Sequence, residues 1–290
     1  MIGIISDTTS DVPSSILNTE FLEVISAKVI LNEKEYRDGK EIQNEQVIKF
    51  MDEGGFPKTS LPSYSDISEA FKRLISKGYK KIISINVSSK LSGTYNMFTN
   101  VKKDLQKEFK DIKIELIDSK SVSLGSGLLV KKALNLIEKN TQFEEIVKEI
   151  KNSIGNKINI MYTIPTLKYL KAGGRIGKVS ATIGEFLNIK PIISVNNEGI
   201  YYTVSKERGL KRAQTTRVDK MIEWLDGNIP QELYIGKTDN TETTMSTIEK
   251  IKQKLINKGI EIEKIKTEQI NPSLLSHTGK GLIGITILKS

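Results

Sequence analysis

The sequence predicts an α/β protein made of two α/β units. Residues 1–157 read as a largely parallel sheet flanked by helices, and residues 158–290 as a mixed sheet with helices. Three observations carry this reading. Apolar strands alternate with amphipathic helices in the first unit, and hydroxyl-rich loops follow the strands. Asn196-Asn197-Glu198-Gly199 separates two apolar runs, which signals a hairpin and hence an antiparallel component in the second unit. At 290 residues the chain is long enough for two ordinary domains.

The first unit begins with an apolar strand at residues 2–5, followed by Ser6-Asp7-Thr8-Thr9-Ser10-Asp11. Carboxylates and hydroxyls at a strand end make either a site or a capped turn. An aspartyl nucleophile pair needs a second Asp two residues after Asp7, and Thr9 stands there, so Mg²⁺-dependent phosphoryl transfer is not expected. A strand follows at residues 24–25 or 29–31, and a helix at 46–51 carries Val47, Ile48 and Met51. Pro57 and Pro62 bracket Lys58, Thr59 and Ser60 in what reads as a stiffened loop. Ser63 with Asp66 forms a capping box for a helix that buries Ile67, Ala70, Phe71, Leu74 and Ile75 and stops at Gly78.

Ile82, Ile83 and Ile85 mark a buried strand, residues 87–94 a small-residue loop, and Tyr95, Phe98, Val101 and Leu105 a helix. A strand entering a helix through such a loop gathers backbone N–H groups, hydroxyls and a positive helix end, which suits an anion. The simpler reading is that Ser92 caps the helix and Gly93 eases a tight turn. A strand at 112–117 then ends in Asp118-Ser119, and helices follow at 128–137 and from Phe143 through Ile154. This reading puts Asp7, Thr59, Ser92 and Asp118 in loops along one sheet edge.

The second unit opens with a strand at 158–162 and a helix at 166–171 stopped by Gly173-Gly174. Arg175 follows, either bringing its guanidinium to an anion or simply trailing a helix cap. A helix at 181–187, the hairpin strands 190–195 and 200–204, and a long helix at 210–225 come next. Then come a strand at 233–236, a helix at 245–256, and strands at 260–265 and 282–288. His277 is expected in a glycine-flanked loop between the last two strands.

Several activities are excluded or disfavoured. With no cysteine there is no disulfide, thiolate nucleophile or zinc–thiolate site, and a single histidine rules out a histidine-cluster metal centre. Residues 279–284 match GxGxxG in letters but lead into a strand, where the dinucleotide fingerprint must open a helix. Residues 174–178 have too short a glycine spacing for a P-loop, and Val179 occupies the magnesium-binding Ser/Thr place. No G-x-S-x-G surrounds any serine. The net charge of +9 is mostly lysine spread along the chain, with only six arginines, which describes a solvated surface and not a nucleic-acid interface. The first residues reach Asp7 too soon for a signal peptide, and no apolar run approaches a membrane span, so a cytoplasmic protein is expected.

Five stretches occur in an order that resembles DegV-family proteins, the bacterial fatty-acid-binding proteins. They are residues 7–13, residues 58–63, residues 88–95, Gly173-Gly174-Arg175-Ile176, and His277-Thr278-Gly279-Lys280-Gly281. The resemblance spans nearly the whole chain. It implies that a long-chain fatty acid such as hexadecanoate lies buried at the domain junction. It also implies that Thr59 and Ser92 hydrogen-bond the carboxylate, with Arg175 and His277 close by. Ser60, Gly93 and Thr94, in the same stretches, are further candidates near the head group, and Asp7, Asp118 and Ser119 are second-tier candidates. It implies no cofactor and no intrinsic catalysis. The acid is expected to be presented to a separate ATP-dependent fatty acid kinase that forms an acyl-phosphate for lipid metabolism, with transient membrane contact for lipid exchange. Thr8, Leu61 and Lys280 depart from the common Ser, Gln and Pro of the pattern, and none removes an implied carboxylate contact. The competing expectation is a stand-alone enzyme acting on a small phosphorylated or carboxylated substrate through Asp7, Asp118 and His277.

Overall fold

The computed structural model describes residues 1–182 and 188–290, with the backbone alone for residues 180–182. The first part of the chain runs through β1 (Ile2–Asp7), β2 (Leu22–Ile25), β3 (Lys28–Leu31), β4 (Lys34–Arg37), α1 (Asn44–Asp52), β5 (Lys58–Ser60) and α2 (Tyr64–Ser76). It continues with β6 (Lys81–Asn86), α3 (Thr94–Glu108), β7 (Lys113–Asp118), α4 (Leu124–Glu138) and α5 (Phe143–Ser153). The second part holds β8 (Ile158–Thr163), α6 (Lys168–Ala172), β9 (Ile189–Val195), β10 (Tyr201–Arg208), α7 (Leu210–Leu225) and β11 (Pro230–Lys237). It ends with α8 (Glu242–Asn257), β12 (Ile265–Gln269), α9 (Pro272–Thr278) and β13 (Ile283–Lys289).

The expected α/β class is what forms. A four-stranded parallel sheet has the order β2-β1-β6-β7, and a six-stranded mixed sheet has the order β10-β9-β8-β13-β11-β12. The first strands are apolar on both faces because both faces are covered. Ile5 and Ile82 pack under α2 and α3, while Ile4, Ile83 and Ile85 face α4. Helix α4 lies between the two sheets and touches β1, β6, β8, β11 and β13. Its residues Leu124 to Leu134 are buried without a break, as an interior helix requires. Gly127 makes this placement possible, since a Cβ there would lie 2.5 Å from the Ser10 and Asp11 carbonyl oxygens.

Four expectations are corrected. Lys58–Ser60 is not a loop but an edge strand, antiparallel to β3 in a third sheet of order β4-β3-β5. Pro57 and Pro62 flank this strand without interrupting its pairing. Thr59 therefore does not sit on the edge of the parallel sheet. The strand read at 260–265 begins only at Ile265, because residues 262–264 form a 3-10 turn that brings the chain up to β11. His277 lies in the last turn of α9, not in a loop. Gly93 has an ordinary φ of −73°, so it eases no turn; a Cβ there would instead press Leu61 at 3.1 Å. Of the helix expected at 181–187, residues 183–187 fall outside the described residues, and Gly177–Thr182 forms a 3-10 helix.

Candidate functional site

Thr59, Ser92, Arg175 and His277 line one cavity of about 50 Å³. Each comes from a different element. Thr59 is placed by its pairing with Val29 in the small sheet. Strand alternation turns Ser60 away, and Ser60 does not line the cavity. Ser92 precedes α3; its hydroxyl lies 2.8 Å from Thr94 Oγ1 and accepts the Thr94 N–H at 3.3 Å. The N-cap itself is Gly93 and has no side-chain cap bond, so Ser92 does not cap the helix; its hydroxyl makes a local turn bond beside the cavity. Gly93 and Thr94 stand behind it.

His277 is held tightly. Its Nε2 lies 2.7 Å from Thr59 Oγ1, and its Nδ1 is buried without a hydrogen-bond partner. The ring packs so closely on Gly173 that a Cβ there would lie 2.3 Å from Nδ1. Burial, aided by the nearby Arg175 charge, pushes the imidazole down to about 4, so it is neutral at pH 7. Arg175 donates from Nη1 to the Gly173 carbonyl at 2.6 Å and from Nε to the Leu91 carbonyl at 3.4 Å. No carboxylate pairs with it among the described residues. The cavity thus offers hydroxyls, a neutral imidazole and a guanidinium with no counter-ion among the described residues, beside the N-terminus of α3. This donor set fits a carboxylate.

Helix α9, which carries His277, is anchored by buried carboxylates. Asp38 accepts from Ser273 N at 3.1 Å and from Ser273 Oγ at 2.5 Å. Asp11 accepts from Asn271 N at 2.8 Å and from Ser123 Oγ at 2.5 Å. Burial raises both carboxyls, Asp11 to about 8. Asp11 lies in a motif stretch of the sequence, while nothing local marks Asp38 or Ser273. Their partners are more than 100 residues away, so no local pattern points to them.

The remaining candidates lie elsewhere. Asp7 does not line the cavity; it is fully buried, raised by desolvation, and accepts from Thr9 N at 3.0 Å and Asn86 Nδ2 at 3.2 Å. Thr9, its partner, is the residue that reaches the cavity wall. Burial opposes the Asp118 charge, but bonds from Ser89 and Lys120 outweigh it and hold this carboxyl below its usual range. Ser119 bonds Ser126 Oγ at 2.7 Å and lines a different, polar cleft with Lys120, Asn196 and Trp224. Asp7, Asp118 and His277 do not meet in one cavity. Among the described residues no group of three or more His, Asp or Glu is placed to hold a metal ion. Among them, too, no helix is long and apolar enough to cross a membrane.

A second, small cavity of about 30 Å³ adjoins the first. Val122, Tyr201, Leu274 and Thr278 border both. Leu124, Ile160, Ile270 and Leu282 wall the inner chamber, and no charged side chain lines it. Gly236 and Gly284 pair across β11 and β13 in its floor. The two cavities adjoin at these shared residues, one with polar groups in its wall and the other mostly apolar.

Comparison with known proteins shows the family and the fold. A family model described as "Uncharacterised protein, DegV family" matches residues 1–290. A DegV domain-containing protein of Clostridium acetobutylicum is 37% identical, covering 99% of each chain. A Thermus thermophilus structure described as fatty acid binding of a DegV family protein superimposes with a TM-score of 0.90 at 26% identity, covering 100% of this chain and 99% of the other. A stearic-acid-binding protein from Eubacterium ventriosum shares the fold at 24% identity, with a TM-score of 0.86 and coverage of 100% and 98%.

Proposed function

The chain belongs to the DegV family, and from that premise we propose that it binds a long-chain fatty acid, head group outermost and tail in the inner chamber. The observation that carries the reading is the meeting of Thr59, Ser92, Arg175 and His277 in one cavity beside a mostly apolar one. Similarity to the fatty-acid-binding Thermus thermophilus protein supports it.

The energetics are consistent. Burying about fourteen methylenes contributes on the order of 10 kcal/mol at roughly 0.8 kcal/mol each. An ionised carboxylate buried alone costs several kcal/mol. Charge-assisted hydrogen bonds of about 1.5–3 kcal/mol each from Thr59, Ser92 and a neighbouring N–H offset most of that. Because hydroxyls hold the carboxylate, one of its oxygens stays free to attack a phosphate. The protein would thus present its acid to a separate ATP-dependent kinase, with Arg175 balancing the charge that develops during transfer. The failed nucleotide motifs support a carrier that borrows its ATP chemistry from a partner. A bacterial cytoplasmic site of action, with brief membrane contact for lipid exchange, follows from this role.

Mass spectrometry of an organic extract of the purified protein tests the reading, with reloading of delipidated protein as the control for loss. The expected result is one long-chain fatty acid per chain, bound again after delipidation. Absence of lipid in both samples contradicts it.

A further inference from the structure

We propose that the inner chamber is built for an acyl chain bearing one uncharged oxygen function part-way along it, a hydroxy or oxo fatty acid, held by the Tyr162 and Thr286 hydroxyls. This rests on the fatty-acid reading above.

The chamber floor is the inner face of the six-stranded sheet. Strand alternation puts Tyr162 of β8 and both Gly284 and Thr286 of β13 on that face. Tyr162 pairs with Gly284, and Thr286 pairs with Ile160, so the two hydroxyl residues are diagonal neighbours across adjacent strands. Tyr162 is 3% exposed and Thr286 fully buried, yet neither hydroxyl has a hydrogen-bond partner. The Tyr201 hydroxyl is near enough to Tyr162 to influence its ionisation, but the pair lacks hydrogen-bond geometry. Thr278, bordering the same chamber, shows the usual solution by donating to the Leu274 carbonyl at 2.9 Å.

A chamber meant for a bare hydrocarbon tail is better served by Phe and Val, which have the same shapes and orphan no polar atom. Two unpartnered hydroxyls in one apolar wall instead match a ligand that brings its own oxygen. Each hydroxyl both donates and accepts, so the pair can take an alcohol or a ketone. No charged side chain lines the chamber, which excludes a second carboxylate or an amine on the tail. With the head group at Thr59 and Ser92, Tyr201 and Leu274 stand at the junction, and Tyr162 and Thr286 lie beyond it. The oxygen therefore belongs part-way down the chain and not next to the carboxylate.

The test measures displacement of a fluorescent fatty acid from the delipidated full chain by stearic acid and by a set of mid-chain hydroxystearic isomers. Wild type is compared with Tyr162→Phe/Thr286→Val. At least one isomer is expected to bind ~5-fold or more tighter than stearic acid, and the double variant to bring that ratio close to one. The double variant is also expected to melt no lower than wild type, because it removes only unpaired hydroxyls. If stearic acid binds but no isomer is preferred, or the preference survives in the double variant, the proposal is overturned and the fatty-acid reading stands. If neither acid binds, the fatty-acid reading fails with it. A double variant that melts several degrees lower shows that the hydroxyls have structural partners, which also overturns the proposal.

Discussion

Thr59 and His277 touch through one 2.7 Å contact between side chains 218 residues apart, and in the proposed function this contact borders the head group. Removing either head-group hydroxyl should weaken ligand retention. Thr59→Ala and Ser92→Ala are each expected to cost about 1.5–3 kcal/mol of binding, a loss of roughly 10- to 100-fold, read by titration of the delipidated protein. Gly173→Ala forces a Cβ into the His277 ring, so it should lower stability by about 1–3 kcal/mol and weaken binding as well; denaturant melts of the free and loaded protein check both effects. His277 also sets a pH dependence. Its folded pKa of about 4 lies below an unfolded value near 6.5, so the folded chain binds fewer protons between them. The stabilisation from a neutral ring is complete above pH 6.5 and is lost as pH falls to 4, by up to roughly 3 kcal/mol. Urea melts at pH 5 and pH 7 should show that loss in wild type and little of it in His277→Gln.

At the scale of elements, α9 is the piece that brings the histidine to Thr59 in the cavity wall. Its N-terminal residues are tied down by Asp11 and Asp38, so the carboxylates act on the site through the helix they hold. Asp38→Ala strands the buried Ser273 N–H and hydroxyl and should cost about 1–3 kcal/mol of stability, measured in urea melts. Asp11 titrates in the opposite sense to His277. Its folded pKa of about 8 exceeds the unfolded value near 3.9, so its contribution is best below pH 3.9 and declines as pH rises to 8. Asp11→Asn should flatten the stability profile between those limits. In α7, Arg217 is fully buried, donates only from Nη1, to Thr163 Oγ1 at 3.0 Å and to the Ile283 carbonyl, and is pushed down to about 9 by desolvation. Replacing a buried, unpaired charge with an apolar side chain of similar length is expected to stabilise, so Arg217→Met should raise the melting temperature.

These elements differ in how far the sequence disclosed them. β1, β6, α2 and α3 were legible because β-branched runs and a capping box carry their own signals. The start of α4 was not: Gly125-Ser126-Gly127 opposes helix locally, and the burial that overrides it comes from both sheets. The strand at Lys58–Ser60 was hidden by its flanking prolines and its brevity. His277 was singled out as the lone histidine, but its helix is only seven residues long and begins at a proline, too little for periodicity to reveal.

At the scale of the whole molecule, the six-stranded sheet, the start of α4 and helix α9 wall an apolar cavity that adjoins one with polar groups. The residues bearing those polar groups were recognisable as motifs, each weak alone and informative in sequence order. The apolar walls were not, because Val122, Ile160, Ile270 and Leu282 look like any core residue until the sheets are assembled. The account rests on a fatty acid entering these cavities head outward. The most direct measurement is a crystal structure of the delipidated protein loaded with stearic acid. The account predicts the carboxylate within hydrogen-bond distance of the Thr59 and Ser92 hydroxyls, with the tail passing Tyr201 and Leu274 toward Tyr162. A carboxylate bound elsewhere, for instance in the cleft beside Trp224, or a tail lying outside the chamber, would contradict it.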